Sequence, residues 1–360
     1  MNINSQIRTL FINVMTAVVM AVVLEILLGY ALRNPRAIPD LALPYYRSYY
    51  SSQDRNIFQV TDCAEYDPNF YYRFKTGTCS FENREFDVIN HFNSAGLRDD
   101  ESSLSNPTII MFGDSFTMGW GVPQTESFPQ ILEALSQERV LNAGISSFGT
   151  AREVKLLNKL GIGNANTVIF QYHANDYEEN LQCINNNFQL PISSRQSYDS
   201  IKENIARRNR YFPFKYLAGI SKSVILTTLS PKEEKLPNDT VQARAFLDVL
   251  MNSGVRNMTS RILVFKIDTY DNNNGFVDAI DYLLQGDPYA GLKIMTVRLD
   301  GVLDKEDYFV LDSHINERGH AKLATLLWDR LKALTPAVIA EKITVSGKPD
   351  KGQQEGAITE

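Results

Sequence analysis

Short apolar runs that each end abruptly in glycine or a polar residue set the strongest limit on how this chain folds. Residues 107–112 (PTIIMF) break into Gly113-Asp114-Ser115-Phe116-Thr117-Met118-Gly119. Residues 140–143 (VLNA) break at Gly144, and residues 167–172 (TVIFQY) break into His173-Ala174-Asn175-Asp176. Much later, residues 308–311 (YFVL) break into Asp312-Ser313-His314. Helical spacing of apolar residues marks 127–137 (Phe128, Ile131, Leu132, Leu135) and 151–160 (Val154, Leu156, Leu157, Leu160). Further helices are expected at 241–251, 276–284 and 317–334, and further strands at 262–267 and 293–299. Alternating strands and helices predict right-handed crossovers and a parallel sheet covered on both faces. The expected fold class is therefore α/β: a three-layer α/β/α sandwich on a five-stranded parallel sheet. Ligands of open parallel sheets bind outside the carboxyl ends of the strands. The breaks bring a serine, a glycine amide, an asparagine, an aspartate and a histidine to one edge.

The first segment has a different character. Residues 10–32 are almost wholly apolar, with Arg8 before them and Arg33 and Arg36 after. About 20 apolar residues span a bilayer core. Residues 1–33 are read as a transmembrane anchor, with a cleaved signal peptide ending near Gly29-Tyr30-Ala31 as the competing reading. Glu25 counts against a span unless it reaches the interface or is protonated. Arginines are no rarer after the segment than before it, so the positive-inside rule does not orient it. On either reading the rest of the chain is exported, to the periplasm or the cell exterior. Residues 34–50, rich in proline and tyrosine, read as a linker leaving the membrane, and 51–106 as a small β-rich lead-in with strands near 71–75 and 85–92.

In an exported chain a local Cys63–Cys79 disulfide is one reading and three unpaired cysteines the other, with Cys183 left as a buried thiol. The net charge of −6 gives no reason to expect a nucleic-acid partner. The four histidines and three cysteines show no zinc-ligand spacing. Residues 177–240 exceed what a crossover needs and are expected to form an insertion with a helix near 216–229. There Lys202, Arg207, Arg208, Arg210 and Lys215 interleave with Tyr211, Phe212, Phe214 and Tyr216. The stretch reads as a solvated helix face beside a proline turn, with a contact surface for anionic polymer or lipid headgroups as the alternative. Residues 336–360 read as a disordered tail.

Ser115 follows a buried strand and precedes a turn into helix, where a serine is either a helix cap or a presented nucleophile. Thr117 stands where a Gly-x-Ser-x-Gly elbow would have its second glycine, which argues against that motif. His314 is the natural base, and Asp312 is placed to hold its other ring nitrogen. His320 lies inside the last helix and reads as a packed or solvated histidine, while His91 and His173 show no partner. Candidate oxyanion donors are the Ser115 amide, the Gly144 amide and the Asn175 side chain. Taken singly, Gly144 and Asn175-Asp176 read as turn residues.

The joint order of these blocks, GDSFTMGWGV at 113–122, NAG at 142–144, HAND at 173–176 and DSHINERGH at 312–320, resembles the SGNH (GDSL-type) hydrolase superfamily. The resemblance covers 107 to about 335, and residues 93–101 resemble the lead-in of its membrane-anchored bacterial members. It implies Ser115 as nucleophile and first oxyanion donor, Gly144 and Asn175 completing the hole, His314 as base and Asp312 as its orienter. No metal or organic cofactor is implied. Two departures stand out: His173 replaces the glycine of the third block, and one residue separates Asp312 from His314 where many members have two. The expected function is a membrane-anchored serine esterase on an ester-bearing small molecule or glycan, including an acyl substituent of a polysaccharide. An O-acyltransferase on an envelope polysaccharide and a non-catalytic polysaccharide-binding or assembly protein are the alternatives.

Overall fold

The computed structural model describes residues 3–53, 56–161, 165–229, 237–258, 260–270 and 273–334. The tail expected at 336–360 lies outside them. In chain order the chain forms α1 (Ile3–Arg33), α2 (Leu43–Gln53), β1 (Ala64–Asp67), β2 (Tyr71–Phe74), β3 (Gly77–Glu82) and β4 (Asp87–Phe92). There follow β5 (Ile109–Phe112), α3 (Ser115–Met118), α4 (Phe128–Ser136), β6 (Val140–Asn142), α5 (Thr150–Leu160) and β7 (Thr167–Tyr172). Then come α6 (Asp176–Asn185), α7 (Arg195–Asn209), α8 (Lys215–Leu229), α9 (Asp239–Met251), β8 (Arg261–Lys266), α10 (Gly275–Leu283), β9 (Ile294–Thr296) and α11 (Glu317–Leu334).

The five strands expected from the apolar runs pair in parallel in the order β6-β5-β7-β8-β9. Their side chains alternate between two cores, as strand geometry requires. Ile110, Phe112, Val168, Phe170, Ile262 and Val264 face one core, which α5, α9 and α10 cover. Ile109, Met111, Ile169, Leu263 and Phe265 face the other, covered by α4 and α11. Burial on both faces is why the strands read as continuous apolar runs. Each fully buried large apolar side chain contributes about 1.5–3 kcal/mol.

The N-terminal part departs from expectation in two ways. Residues 34–50, expected as a linker, are helical from Leu43 onward, where α2 begins, with Tyr46 and Tyr49 buried. Its proline, Pro44, sits in the first turn, where a helix has no amide bond to lose. The β-rich lead-in is two antiparallel hairpins, β1-β2 and β3-β4, tied by the Cys63–Cys79 disulfide. Its Phe70, Tyr72, Phe74 and Phe81 enter the same core as the sheet, so it packs as part of the main domain. Cys183 is a buried free thiol. The segment expected as an insertion carries α6, α7 and α8. Residues 308–311 form no sheet strand: Tyr308 makes only an isolated bridge to Ile315.

Candidate active site

The turn after β5 is built from buried polar bonds. Asp114 caps α3, its side chain accepting the Phe116 amide at 2.9 Å. Gln171 Oε1, reaching over from β7, accepts the Asp114 amide (3.1 Å) and the Thr117 hydroxyl (3.0 Å). Ser115 is the first residue of α3, so its amide has no intrahelical partner. The helix stops at Gly119, whose φ of 88° is a left-handed conformation that glycine adopts without strain. Buried Arg98 donates to the carbonyls of Met118 (3.2 Å), Gly119 and Val122 (2.7 Å), fixing the loop that carries Trp120. Burial lowers its guanidinium pKa to about 10.

Ser115 Oγ lies 2.7 Å from His314 Nε2, and His314 Nδ1 lies 2.5 Å from Asp312 Oδ1. The imidazole stacks on Trp120 (4.7 Å between centroids, 17° between planes) and tilts against Phe116 at 4.8 Å. Asp312 Oδ1 also accepts the His314 amide at 3.0 Å. Its Oδ2 takes the Tyr50 hydroxyl (2.7 Å) and the Trp120 indole N–H (3.1 Å). Burial works to raise the Asp312 pKa, but the His314 charge and the bonds from His314 and Tyr50 outweigh it and hold the carboxyl below its usual range. The loop carrying Asp312 is clamped from outside. Glu85 accepts the amides of Val310 (2.7 Å), Leu311 (2.7 Å) and Asp312 (2.8 Å), and Arg47 donates to the Val310 carbonyl at 2.8 Å.

A cavity of about 280 Å³ opens at this point, with Ser115, His314, Asn175, His173, Ser146 and Ser147 on its walls. The structure thus brings Ser115, Asp312, His314 and Asn175 to one place. It does not bring Gly144 there. The Gly144 amide donates to Asn142 Oδ1 at 3.0 Å, and Gly144 packs under α3, where an added Cβ would lie 2.7 Å from Thr117 C. Ser146 and Ser147 form the cavity wall on that loop instead. His173 sits 3.7 Å from Asp268, which in turn pairs with Lys266 at 2.9 Å, and its Nδ1 accepts the Asn175 amide at 3.3 Å. His320 is a packed histidine: it is fully buried, accepts the Phe128 amide at 3.1 Å and stacks on the Phe128 ring. Among the described residues no group of three or more His, Cys, Asp or Glu is arranged to hold a metal.

Sequence reasoning missed Tyr50, Glu85, Arg98, Trp120 and Gln171. Arg98 and Trp120 lie inside blocks that the sequence singles out, and Gln171 carried a local signal of its own, a polar residue inside an apolar strand.

No family model matches the chain, and no curated protein matches it significantly. Among solved structures, it is similar to a member of the lipolytic protein G-D-S-L family from Veillonella parvula DSM 2008. The identity is 13% and the TM-score 0.35, over 61% of this chain and 96% of that one. It is also similar to TesA (15% identity, TM-score 0.34, 63% of this chain and 98% of that one). A third is a two-domain esterase active on acetylated mannans (12% identity, TM-score 0.33, 71% of this chain and 55% of that one).

Proposed function

We propose that the chain is a serine ester hydrolase with Ser115 as nucleophile, His314 as general base and Asp312 as its orienter. The observation that carries this reading is the hydrogen-bonded chain of 2.7 Å from Ser115 to His314 and 2.5 Å from His314 to Asp312. With Asp312 ionised, the ring proton stays on Nδ1 and the Nε2 lone pair faces the serine hydroxyl. Ser115 Oγ attacks the ester carbonyl carbon while its proton passes to Nε2. The oxyanion is met by the Ser115 amide and the Asn175 side chain, without Gly144, whose amide is engaged by Asn142 Oδ1. Collapse expels the alcohol, which takes the proton from Nε2, and leaves an acyl-serine. Water, deprotonated by the same imidazole, then releases the acid. A binding protein without turnover has no need of this aligned chain.

The substrate we favour is an acyl substituent of a glycan. Asn56, Asn83, Arg84 and Asn209 line the cavity, and such amide and guanidinium groups suit hydroxyl-rich sugars better than a long acyl chain. We read α1 as a retained membrane anchor, because its Glu25 accepts the Leu217 amide at 2.8 Å and its Leu32 is fully buried in the fold. The disulfide supports a periplasmic or extracellular location for the globular part.

Ser115→Ala, assayed on short aryl esters, is expected to lose activity by about 10³-fold or more, with unfolding temperature unchanged. A fluorophosphonate is expected to label Ser115. Unchanged hydrolysis in the alanine variant overturns the assignment.

A further inference from the structure

The large apolar side chains of α1 from Ile7 to Leu27 are exposed. A bilayer enclosing α1 therefore borders whatever packs against its last turns, and that neighbour is α8. Glu25, 7% exposed, accepts the amides of Tyr216 (3.2 Å) and Leu217 (2.8 Å) and the Tyr211 hydroxyl (3.3 Å). A carboxylate there satisfies orphan donors at the start of α8 and suits its dipole. Gly29 leaves room for the Tyr216 ring: a Cβ at that position would lie 2.9 Å from it. Glu25 thus docks the two helices rather than spoiling an anchor.

The flank of α8 that faces the protein is buried, with Ile220 packed beside Leu32, Tyr46 and Tyr49. Its carboxyl-terminal half faces outward. Val224 is 38% exposed, Ile225 56%, Leu226 49% and Leu229 75%. Just before α8, Tyr211 and Phe212 are also exposed, and the last turn of α7 carries Arg207 and Arg208. An apolar helix half, aromatic residues at its entry and a neighbouring basic end are the parts of a helix lying in a membrane interface.

We propose that α8 seats in the bilayer beside the last turns of α1, with the basic end of α7 at anionic headgroups, so that the cavity holding Ser115 opens at the membrane surface. Leu32 of α1, Tyr49 of α2, Asn209 at the end of α7 and Lys215 at the start of α8 line that cavity together with Ser115 and His314. Substrate then reaches the serine along the bilayer surface, which suits an ester carried on a membrane-bound molecule. The proposal rests on α1 being a membrane helix and not on the ester chemistry.

The test uses the full chain in vesicles of phosphatidylcholine and phosphatidylglycerol. Cysteines introduced at Ile225→Cys, Leu229→Cys and, as an aqueous control on β4, Ile89→Cys each carry a small fluorophore. Circular dichroism and intact hydrolytic activity check that each variant folds. Brominated lipids are expected to quench positions 225 and 229 several-fold more than 89, and iodide to quench them several-fold less. Equal behaviour at all three positions overturns the proposal. So does shielding from iodide without quenching by lipid, which means a second copy of the chain covers α8.

Discussion

Glu85→Gln probes how the acid of the site is held. In the parent, Glu85 Oε1 accepts the Val310 amide and Oε2 accepts those of Leu311 and Asp312, all at 2.7–2.8 Å. Glutamine keeps one acceptor oxygen and places an NH2 group against the remaining donors. Its best rotamer keeps the carbonyl on Leu311 and Asp312 and leaves the Val310 amide unpaired. A hydrogen bond to a charged group is worth about 1.5–3 kcal/mol, and the two bonds that survive also lose their charge assistance. A net loss of about 2 kcal/mol follows, or roughly 4–8 °C in unfolding temperature at about 2–4 °C per kcal/mol. The kinetic effect is larger, because a shift of about 1 Å in a catalytic group costs on the order of 10²-fold. Glu85 does not line the cavity, so kcat on an aryl ester falls about 100-fold while KM holds. A variant that loses the stability but keeps kcat within about threefold of the parent refutes the reasoning, since Glu85 would then not be setting the position of Asp312.

His320 is held neutral: burial, then the charges of Arg98 and His314, pull its pKa down to about 3. The native state therefore binds fewer protons than the unfolded chain, so its contribution is complete above about pH 6.5 and is lost as pH falls toward 3. At pH 5 the loss is about 2 kcal/mol, and denaturant titrations should show it in the parent but not in His320→Gln; parallel pH slopes exclude it. Gly144→Ala forces a Cβ onto the backbone of Thr117 and Met118. Overpacking of this kind costs about 1–3 kcal/mol and displaces α3, so the variant should melt lower and label poorly at Ser115; full labelling with an unchanged melting temperature argues the other way. Intact-mass measurement on membrane-extracted protein should find Glu25 still in the chain, whereas a mature form starting after Ala31 overturns the anchor reading.

The sheet was legible because its strands β5, β6 and β7 are buried throughout, so they read as mainly apolar runs, and those of β5 and β7 stop where the chain meets the site. Asp312 and His314 were legible because their spacing is local, with the histidine amide and ring both meeting one carboxylate oxygen. The supports of that aspartate were not. Tyr50 meets Asp312 from 262 residues away and Trp120 from 192, and no sequence period reports such contacts. Composition misled at α2, where proline and tyrosine suggested a linker although Pro44 occupies a helix start. Position misled at Gly144: a glycine after a strand is needed there, but for close packing against α3 rather than for its amide.

The four donors on Asp312 divide its labour. Oδ1 serves the histidine, through the ring and the backbone amide, while Oδ2 is satisfied by Tyr50 and Trp120. A buried carboxylate with both oxygens satisfied stays ionised and stays put. It can then hold an imidazole in one tautomer without competing rotamers. Trp120 adds a second constraint on the same ring by stacking on its face. Tyr50 comes from α2 and Glu85 from the turn between β3 and β4, so the segment before residue 107 helps hold the acid at the opposite end of the chain. A chain beginning at residue 107 would keep the serine, histidine and aspartate yet lose the Tyr50 and Glu85 bonds to the aspartate and its loop. Because α2 also packs on α8 and, through Tyr46 and Tyr49, on Leu32 of α1, the position of the acid is mechanically tied to the apolar N-terminal helix.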